Sequence, residues 1–308
     1  LGFHDVCEES GIPSWLRMRE SVFLEMIERL GDHCSFIHPD DLFNKQALSR
    51  RKLNLLMTFD DGFVNNRRVA MPILQAFGIP ALFFVSSANL KRQSLFWFDR
   101  IIIPIQARCI HQLDLSPVGL GRYDFDTSGD PSIRWDSIER LLVDVKKLGN
   151  PDDPAVKQLL DYFDEVFEED IETHKEDFRP MTALELKQLA ADPLFCIGSH
   201  SHNHVVLTRL DKNGVDGNLR KSKEILEQVT NCQVDSFACP NGDTSAVIKK
   251  CMKIAGYRFA YGTQAGRVNE GTDRYDIPRV LIGGYDSATD IIGKLVRVLI
   301  KTSGMVIS

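Results

Sequence analysis

The sequence predicts an α/β fold in which a mainly parallel sheet closes into a barrel. Apolar strand-like segments alternate with amphipathic helical segments along most of the 308 residues, and this alternation is typical of parallel sheets covered by helices. Seven or eight strand segments favour closure over an open sheet. With 43% apolar residues, the chain can bury a core without disulfides. In such barrels the chemistry lies where the strands end, so reactive residues should directly follow strands.

Each predicted element rests on hydrophobic periodicity and on its flanking residues. The helix at 66–77 ends at Gly78, and a capping box of Thr182 and Glu185 begins the helix that runs to 190. An amphipathic segment at 289–300 is expected to pack on the barrel rather than on a membrane. The predicted elements are strands at 1–6, 53–59, 81–86, 195–199, 235–239, 258–262 and 277–282, and helices at 21–30, 66–77, 182–190, 219–229, 245–255 and 289–300.

Residues 90–180 interrupt this alternation, and we predict a largely helical insertion within a single domain that spans 1–308. The segment contains an aromatic cluster at 96–98 and an acidic stretch from Asp161 to Asp177, in which Lys175 is the only Lys or Arg. An exposed helix face is the ordinary origin of such a stretch. We likewise expect the aromatic cluster to pack locally rather than to form a platform for sugars.

Charge and hydropathy argue against several partners. The net charge of −6 disfavours nucleic acid or an anionic membrane as the main partner, and no apolar run approaches the about 20 residues of a membrane-spanning helix. The seven cysteines form no CxxC pair, and free thiols are typical of a reducing compartment, so we expect the cytoplasm. The chain begins at Leu1 within a predicted strand, so we expect a preceding segment. The sequence does not predict an oligomeric state.

Two adjacent carboxylates, Asp60 and Asp61, follow the strand at 53–59 in the motif TFDDG. Adjacent carboxylates at a strand end repel each other, and a bound cation is one way to hold both. One of them can bind the cation while its neighbour acts as a base. An ordinary Asp-Asp-Gly turn is the alternative.

Three histidines occur within five residues after the strand at 195–199, in the motif SHSHNH. His200 and His204 are four residues apart, which lets both rings face one point on a helical turn. Neutral imidazole is a common metal ligand. A single histidine would more often be structural, whereas this cluster at a strand end favours ligands.

Together, Asp61, His200 and His204 would form a site of two histidines and one carboxylate. Three protein ligands leave positions for water and substrate, which is typical of a catalytic metal rather than a structural one. Such a metal makes a bound water more acidic and polarises a carbonyl. Asp60 is then the candidate base that takes the proton of the attacking water. The pattern indicates metal-assisted hydrolysis of an amide or an ester.

These motifs resemble those of the NodB-type polysaccharide deacetylases, a carbohydrate esterase family, and of its exopolysaccharide-type branch in particular. The resemblance implies that Asp60 is the general base and that Asp61, His200 and His204 hold a divalent metal, usually zinc in the family. It also implies a distorted (β/α)7 barrel. Family substrates are mostly N-acetylated sugars in chitin, peptidoglycan or exopolysaccharide.

The segment FACPNG at 237–242 resembles the family loop that lines the active-site groove. It therefore implies that Phe237, Pro240 and Asn241 bind substrate, with a backbone N–H near Asn241 as an oxyanion donor. Two other features depart from the family. Ala238 stands where many members carry an Arg that orients the base, and Cys239 replaces the usual Tyr of the branch.

Two catalytic roles are therefore reassigned. We expect Arg279, on another strand, to supply the charge that holds the base ionised, although a structural role for Arg279 is equally open. The family's late Leu-x-His acid has no match, because no histidine follows His204. His4 at a strand end is our candidate general acid, with His202 as a second candidate. The metal's water or Asp60 itself are further sources of that proton.

The predicted function is a metal-dependent hydrolase that removes N-acetyl groups from amino sugars of a polysaccharide or its precursor. Two alternatives remain. One is a metal amidohydrolase that acts on a small non-carbohydrate amide, which a closed pocket under the insertion would favour. The other is a non-catalytic carbohydrate-binding relative that kept the metal ligands.

Overall fold

The computed structural model describes residues 1–92, 94–126 and 129–303. Its strands are β1 Gly2–Phe3, β2 Asp5–Cys7, β3 Arg17–Arg19, β4 Cys34–Phe36, β5 Leu53–Leu55, β6 Met57–Phe59, β7 Ala81–Val85, β8 Gln112–Asp114, β9 Arg122–Asp124, β10 Phe195–Ser199, β11 Ser236–Ala238 and β12 Phe259–Tyr261. Its α-helices are α1 Glu20–Gly31, α2 Met71–Phe77, α3 Asn89–Arg92, α4 Trp97–Ala107, α5 Pro131–Leu148, α6 Pro154–Val166, α7 Glu168–Phe178, α8 Ala183–Ala190, α9 Lys212–Thr230, α10 Ala246–Ile254 and α11 Ala288–Ser303.

Parallel strands form a curved sheet in the order β1-β6-β7-β10-β11-β12. The chain segment after β12 closes this sheet, because Ile277 forms a parallel bridge with Tyr261 of β12 and Leu281 forms one with Gly2 of β1. The N–H of Gly2 also donates to the Val280 carbonyl at 2.9 Å. This segment is the seventh position of the ring, and the predicted distorted (β/α)7 barrel is confirmed.

Successive side chains of a strand point to opposite faces of the sheet, and this divides the apolar residues into two layers. In β7, Ala81, Phe83 and Val85 belong to the main core between the sheet and its helices. Leu82 and Phe84 belong to a smaller cluster inside the barrel. Each large side chain buried in this way contributes about 1.5–3 kcal/mol, so the layers hold the strand ends in fixed positions.

The structure corrects the bounds of two predicted elements. The predicted strand at 53–59 is two strands, because β5 pairs with β4 outside the barrel while β6 pairs with β1 and β7. A continuous apolar run does not reveal where a chain changes its partner. The predicted helix at 219–229 begins earlier, at Lys212, where the Asp211 side chain accepts a hydrogen bond from the Gly214 N–H. This cap offsets the poor helix propensity of the first turns.

The predicted insertion is largely helical, as expected, and comprises α3 to α7 with the antiparallel pair β8–β9. It has a separate apolar core whose members include the fully buried Ile101, Leu141 and Phe163. Acidic residues of the 161–177 stretch are mostly exposed and pair with arginines, as Asp164 does with Arg100. That the insertion and the barrel form one domain stays a prediction.

Helix α11 packs against α1 through buried residues such as Ile291, in agreement with the expected packing on the barrel. Within the described ranges, no helix combines the length and the apolar character that crossing a membrane requires. All seven cysteines are free thiols. The cytoplasmic location inferred from them stays a prediction.

Candidate metal centre

The two adjacent carboxylates lie at a sharp turn after β6. Asp60 continues the strand, and its N–H donates to the Phe3 carbonyl at 2.8 Å. Asp61 is left-handed with φ of 70°, and Gly62 follows with φ of 86°. A Cβ at Gly62 would lie 2.9 Å from a methyl carbon of Val85. Glycine therefore permits the turn that separates the two acidic side chains.

The two candidate histidine ligands follow β10 in a strained turn. The His200 N–H donates to the Val85 carbonyl at 3.0 Å, and the His200 carbonyl accepts from the Ser86 hydroxyl at 2.8 Å. Ser201 and His204 are left-handed, with φ of 65° and 52°. Such backbone costs about 1–3 kcal/mol per residue and is concentrated at functional sites. Here it brings the two imidazole rings to a centroid distance of 5.1 Å.

The three candidate metal ligands, Asp61, His200 and His204, converge. One ligand atom from each lies within 4.8 Å of the others, and Asp61 Oδ1 is 3.4 Å from His200 Nε2 and 3.0 Å from His204 Nε2. His200 Nδ1 lies 2.9 Å from the Ala238 carbonyl and must donate to it, so in the neutral ring Nε2 presents a lone pair to Asp61. Asp61 Oδ1 is buried without a hydrogen bond. These electron pairs fit a cation placed among them.

The surroundings set the charges that such a site needs. Burial lowers the pKa of His200 to about 4, more than the attraction of Asp60 and Asp61 raises it. Burial acts to raise the pKa of Asp61, but His204 and then His200 bring it below its ordinary value. Near neutral pH, His200 is therefore neutral and Asp61 is ionised, which are the protonation states of metal ligands.

Arg279 lies against the candidate base. Its Nη1 and Nη2 atoms are 2.7 Å and 2.8 Å from the two carboxylate oxygens of Asp60, and its Nε donates to the Gly262 carbonyl. Asp60 and Arg279 are both almost fully buried. Burial acts to raise the pKa of Asp60, but the Arg279 charge holds it well below its ordinary value. The structure thus brings together the candidate base Asp60 and the Arg279 guanidinium, which the sequence paired only by hypothesis.

The candidate ligands open into a cavity of about 690 Å³ at the carboxyl ends of the strands. Its volume is in the range of small-molecule sites. His4, Cys239 and Asn241 line it together with Asp60, Asp61, His200 and His204. His4 Nδ1 is buried without a hydrogen bond. The candidate acid and the candidate oxyanion donor therefore share one cavity with the candidate metal ligands.

Other predicted site residues lie elsewhere. Neither Phe237 nor Pro240 is among the described residues that line the cavity. Phe237 is fully buried in the main core, where its ring is 5.2 Å from that of Tyr257, because it points outward from β11 while Ala238 points into the barrel. Pro240 is a buried turn residue, and the substrate contacts of Phe237 and Pro240 stay predictions that this position in the core does not favour. His202 Nδ1 is 2.8 Å from the Ser87 hydroxyl, outside the cavity lining.

Sequence reasoning missed a wall of the cavity that the insertion provides. Trp97 lines it from the start of α4. One face of α5 also lines it, through Ser132, Trp135, Asp136, Glu139, Leu142, Val143 and Lys146. Lys146 Nζ is 3.1 Å from Asn241 Oδ1, and burial lowers the pKa of Lys146. The spacing of these residues along α5 is helical, but nothing in the sequence shows that this face meets the barrel.

The aromatic cluster of the insertion packs on a candidate ligand. Phe96 and Phe98 are buried and stacked at 5.2 Å, and each ring meets His204 edge-on, at 5.4 Å and 5.5 Å. The expected local packing is confirmed for these two residues. Trp97, between them, is half-buried and faces the cavity.

Comparison with known proteins points to one family. A family model described as polysaccharide deacetylase matches residues 163–260, a stretch that includes His200 and His204. No curated protein sequence matches the chain significantly.

Solved structures of deacetylases share the fold at low identity. The Streptococcus pyogenes deacetylase PplD, solved with acetate, is 13% identical, with 96% of each chain covered and a TM-score of 0.60. IcaB from Ammonifex degensii is 17% identical, with 95% of this chain and 94% of that chain covered and a TM-score of 0.60. The BpsB deacetylase domain from Bordetella bronchiseptica is 18% identical, with coverages of 92% and 94% and a TM-score of 0.53. The matched family model and the shared fold confirm that the chain resembles the polysaccharide deacetylase family.

Proposed function

We propose that this protein is a metal-dependent hydrolase that removes N-acetyl groups from amino sugars of a polysaccharide or its precursor. The observation that supports it is the convergence of Asp61, His200 and His204 beside the Asp60–Arg279 pair in one cavity. The deacetylase names of the family model and of the similar structures agree with this chemistry.

Asp61, His200 and His204 would hold the divalent metal, and zinc suits a set of two imidazoles and one carboxylate. When bound, the metal would polarise the acetamide carbonyl and make a water more acidic. Aromatic side chains give the cavity flat apolar faces against which sugar rings can stack. Those side chains are Trp15, Trp97, Trp135 and Tyr285.

Asp60 takes the proton from the attacking water as general base. Arg279 keeps Asp60 ionised and fixes the plane of its carboxylate through the two hydrogen bonds. A backbone N–H near Asn241 donates to the oxygen that becomes negative at the carbonyl. His4 protonates the departing amine, since it lines the same cavity. Acetate and a free amino sugar result.

A small non-carbohydrate amide is the second candidate substrate. The observation that favours it is the wall that α5 and Trp97 add to the cavity, which limits the space around the reacting group. The cavity face of α5 is acidic at one end and basic at the other, through Asp136, Glu139 and Lys146. That face suits either candidate substrate, the N-acetylated sugar or the small amide, provided that it is polar.

The deciding experiment is an assay for free amine and acetate, with zinc and with a chelator. The substrates are N-acetylated chito-oligosaccharides, an aryl acetate and a panel of small acetamides. We expect zinc-dependent turnover of the sugars and a loss of at least about 100-fold in Asp60→Asn. Asp32→Asn, at an exposed carboxylate after α1, is the matched control and should be unchanged.

Each other result would contradict the proposal in a different way. Turnover of the acetamides alone would favour the second candidate. Sugar binding without turnover in zinc-loaded protein would favour a non-catalytic relative. Full activity of Asp60→Asn would exclude Asp60 as the base.

A further inference from the structure

The insertion reaches far around the rim of the barrel. It leaves the barrel after β7 and returns before β10, yet it contacts loops that follow other strands. Phe96 meets Phe63 after β6 at a ring distance of 5.2 Å, and Phe98 meets His204 after β10. Lys146 binds Asn241 after β11. The insertion itself follows β7, and it therefore also contacts the loops after the neighbouring strands β6, β10 and β11.

Further contacts lie on the opposite side of the metal ligands. The ring of Trp135 is 6.5 Å from that of Tyr285, which follows the seventh barrel position, and Gln106 donates to the Tyr285 hydroxyl at 3.2 Å. Arg17, the first residue of β3, forms an ion pair of 3.0 Å with Asp177 near the end of α7. The insertion thus contacts the rim at the carboxyl end of the barrel from several sides, and we call the described residues within 89–178 the cap.

Helix α5 forms one wall of the cavity within this cap. Its cavity face runs from Trp135, held against Tyr285, to Lys146, held against Asn241. At 1.5 Å per residue the two anchors are about 16 Å apart along the helix, which is longer than one sugar unit. The partners of these anchors, Tyr285 and Asn241, lie on loops that follow different barrel strands. A polymer that continues past the reacting unit on this side would therefore have to pass this wall.

We propose that the cap restricts this enzyme to the terminal unit of an N-acetylated sugar chain, an inference that rests on the proposed deacetylase function. A polymer bound through an internal unit needs two exits from the site, one for the chain on each side. The cap contacts the rim at Asn241, after β11, and at Tyr285, after the seventh barrel position, and it also packs on the candidate ligand His204. A terminal unit needs one exit, and the cavity of about 690 Å³ holds such a unit.

The test maps the position of each free amine. Zinc-loaded enzyme is incubated with N-acetylated chito-oligosaccharides of one to six units, labelled with a heavy isotope at the reducing end. Fragment masses then identify the deacetylated unit. We expect amine at one terminal unit alone, and an initial rate per molecule that changes less than about threefold between two and six units. Amine at internal units, or a rate that rises in proportion to length, would overturn the inference.

This outcome is distinguishable from a failure of the proposed function. If no oligosaccharide yields amine, the deacetylase proposal and this inference fall together. If internal units react, the deacetylase proposal stands and the inference alone is wrong.

A cap variant gives an independent reading. In the double variant Trp135→Ala, Lys146→Ala both anchors of α5 are lost, and we expect amine to appear at internal units. Ile133→Ala, at an exposed α5 residue outside the cavity lining, is the control and should keep the terminal pattern. An unchanged terminal pattern in a folded double variant would contradict the role of α5. If the double variant does not fold, the wild-type product map decides.

Discussion

Asp60 and Arg279 are 219 residues apart in the chain and form a buried, two-pronged ion pair with hydrogen bonds of 2.7 Å and 2.8 Å. Arg279 shares its side of the closing segment with Ile277, which points into the barrel. The alternation that buries Ile277 thus also directs the guanidinium under the carboxylate. Arg279 thus supplies a positive charge at the candidate base, where Ala238 has none to offer.

Replacement of Arg279 by lysine should lower activity and move the pH dependence. An ammonium cannot bind both oxygens of Asp60, so the pKa of Asp60 rises and the ionised base is lost at a higher pH. We expect a loss of about 10–100-fold at neutral pH and an acid limb of the pH–rate profile displaced upward. Initial rates from pH 4 to pH 9 check this. Arg220→Lys, at an exposed pair with Asp216, should leave the profile unchanged, and an unmoved acid limb in Arg279→Lys would contradict the role.

Loss of one candidate ligand should abolish metal binding. We expect wild-type protein to retain a single zinc ion per chain and to gain thermal stability from zinc, since a ligand at 100 times its Kd stabilises the native state by about 2.7 kcal/mol. His204→Ala should lose both the ion and the gain. Metal content and melting temperature, with and without zinc, measure this. The exposed His33→Ala is the control, and a zinc-induced gain that persists in His204→Ala would exclude the site.

Much of the metal centre can be predicted from the sequence because it follows one rule. Asp60, Asp61, His200 and His204 directly follow strands of a parallel sheet, and the carboxyl ends of such strands meet. The wall formed by α5 could not be predicted in this way, because its position depends on how the insertion folds back over the rim. The burial of Phe237 in the main core could not be predicted for a related reason, since a loop motif does not reveal which side of the short strand β11 faces the barrel interior.

Removal of Arg17 should destabilise the junction between barrel and cap. Arg17 is 2% exposed, binds Asp5 at 2.9 Å and Asp177 at 3.0 Å, and lies 3.9 Å from the Phe178 ring centroid. Arg17→Met leaves Asp5 buried without its cation, and breaking a buried pair costs about 3–5 kcal/mol. Urea unfolding measures the loss. Arg220→Met, which breaks an exposed pair, is the control and should lower the free energy of unfolding by less than about 1 kcal/mol. Equal losses in the two variants would contradict the prediction that the buried pair stabilises the protein more than an exposed one.

Asp99 should make the metal-free protein less stable as the pH rises. It is 1% exposed on α4, and its Oδ2 has no hydrogen bond. Burial, and then the charge of Asp61, raise the pKa of Asp99 well above its ordinary value. The folded state therefore keeps this proton over a pH range in which the unfolded state has lost it. In that range the free energy of unfolding falls with pH, by at most about 1.4 kcal/mol per unit from this group.

Asp99→Asn removes that titration. As the pH rises from 5 to 8, the free energy of unfolding of the variant should therefore increase relative to that of wild type. Urea unfolding in the presence of chelator measures both proteins across this range. The slope with pH is the decisive quantity, because an asparagine amide in the same position has its own unpaired atoms at every pH. Asp32→Asn, at an exposed carboxylate, should run parallel to wild type. A parallel course for Asp99→Asn would mean that Asp99 is ionised in the folded protein, and that the cap places a second negative charge close to the metal ligands.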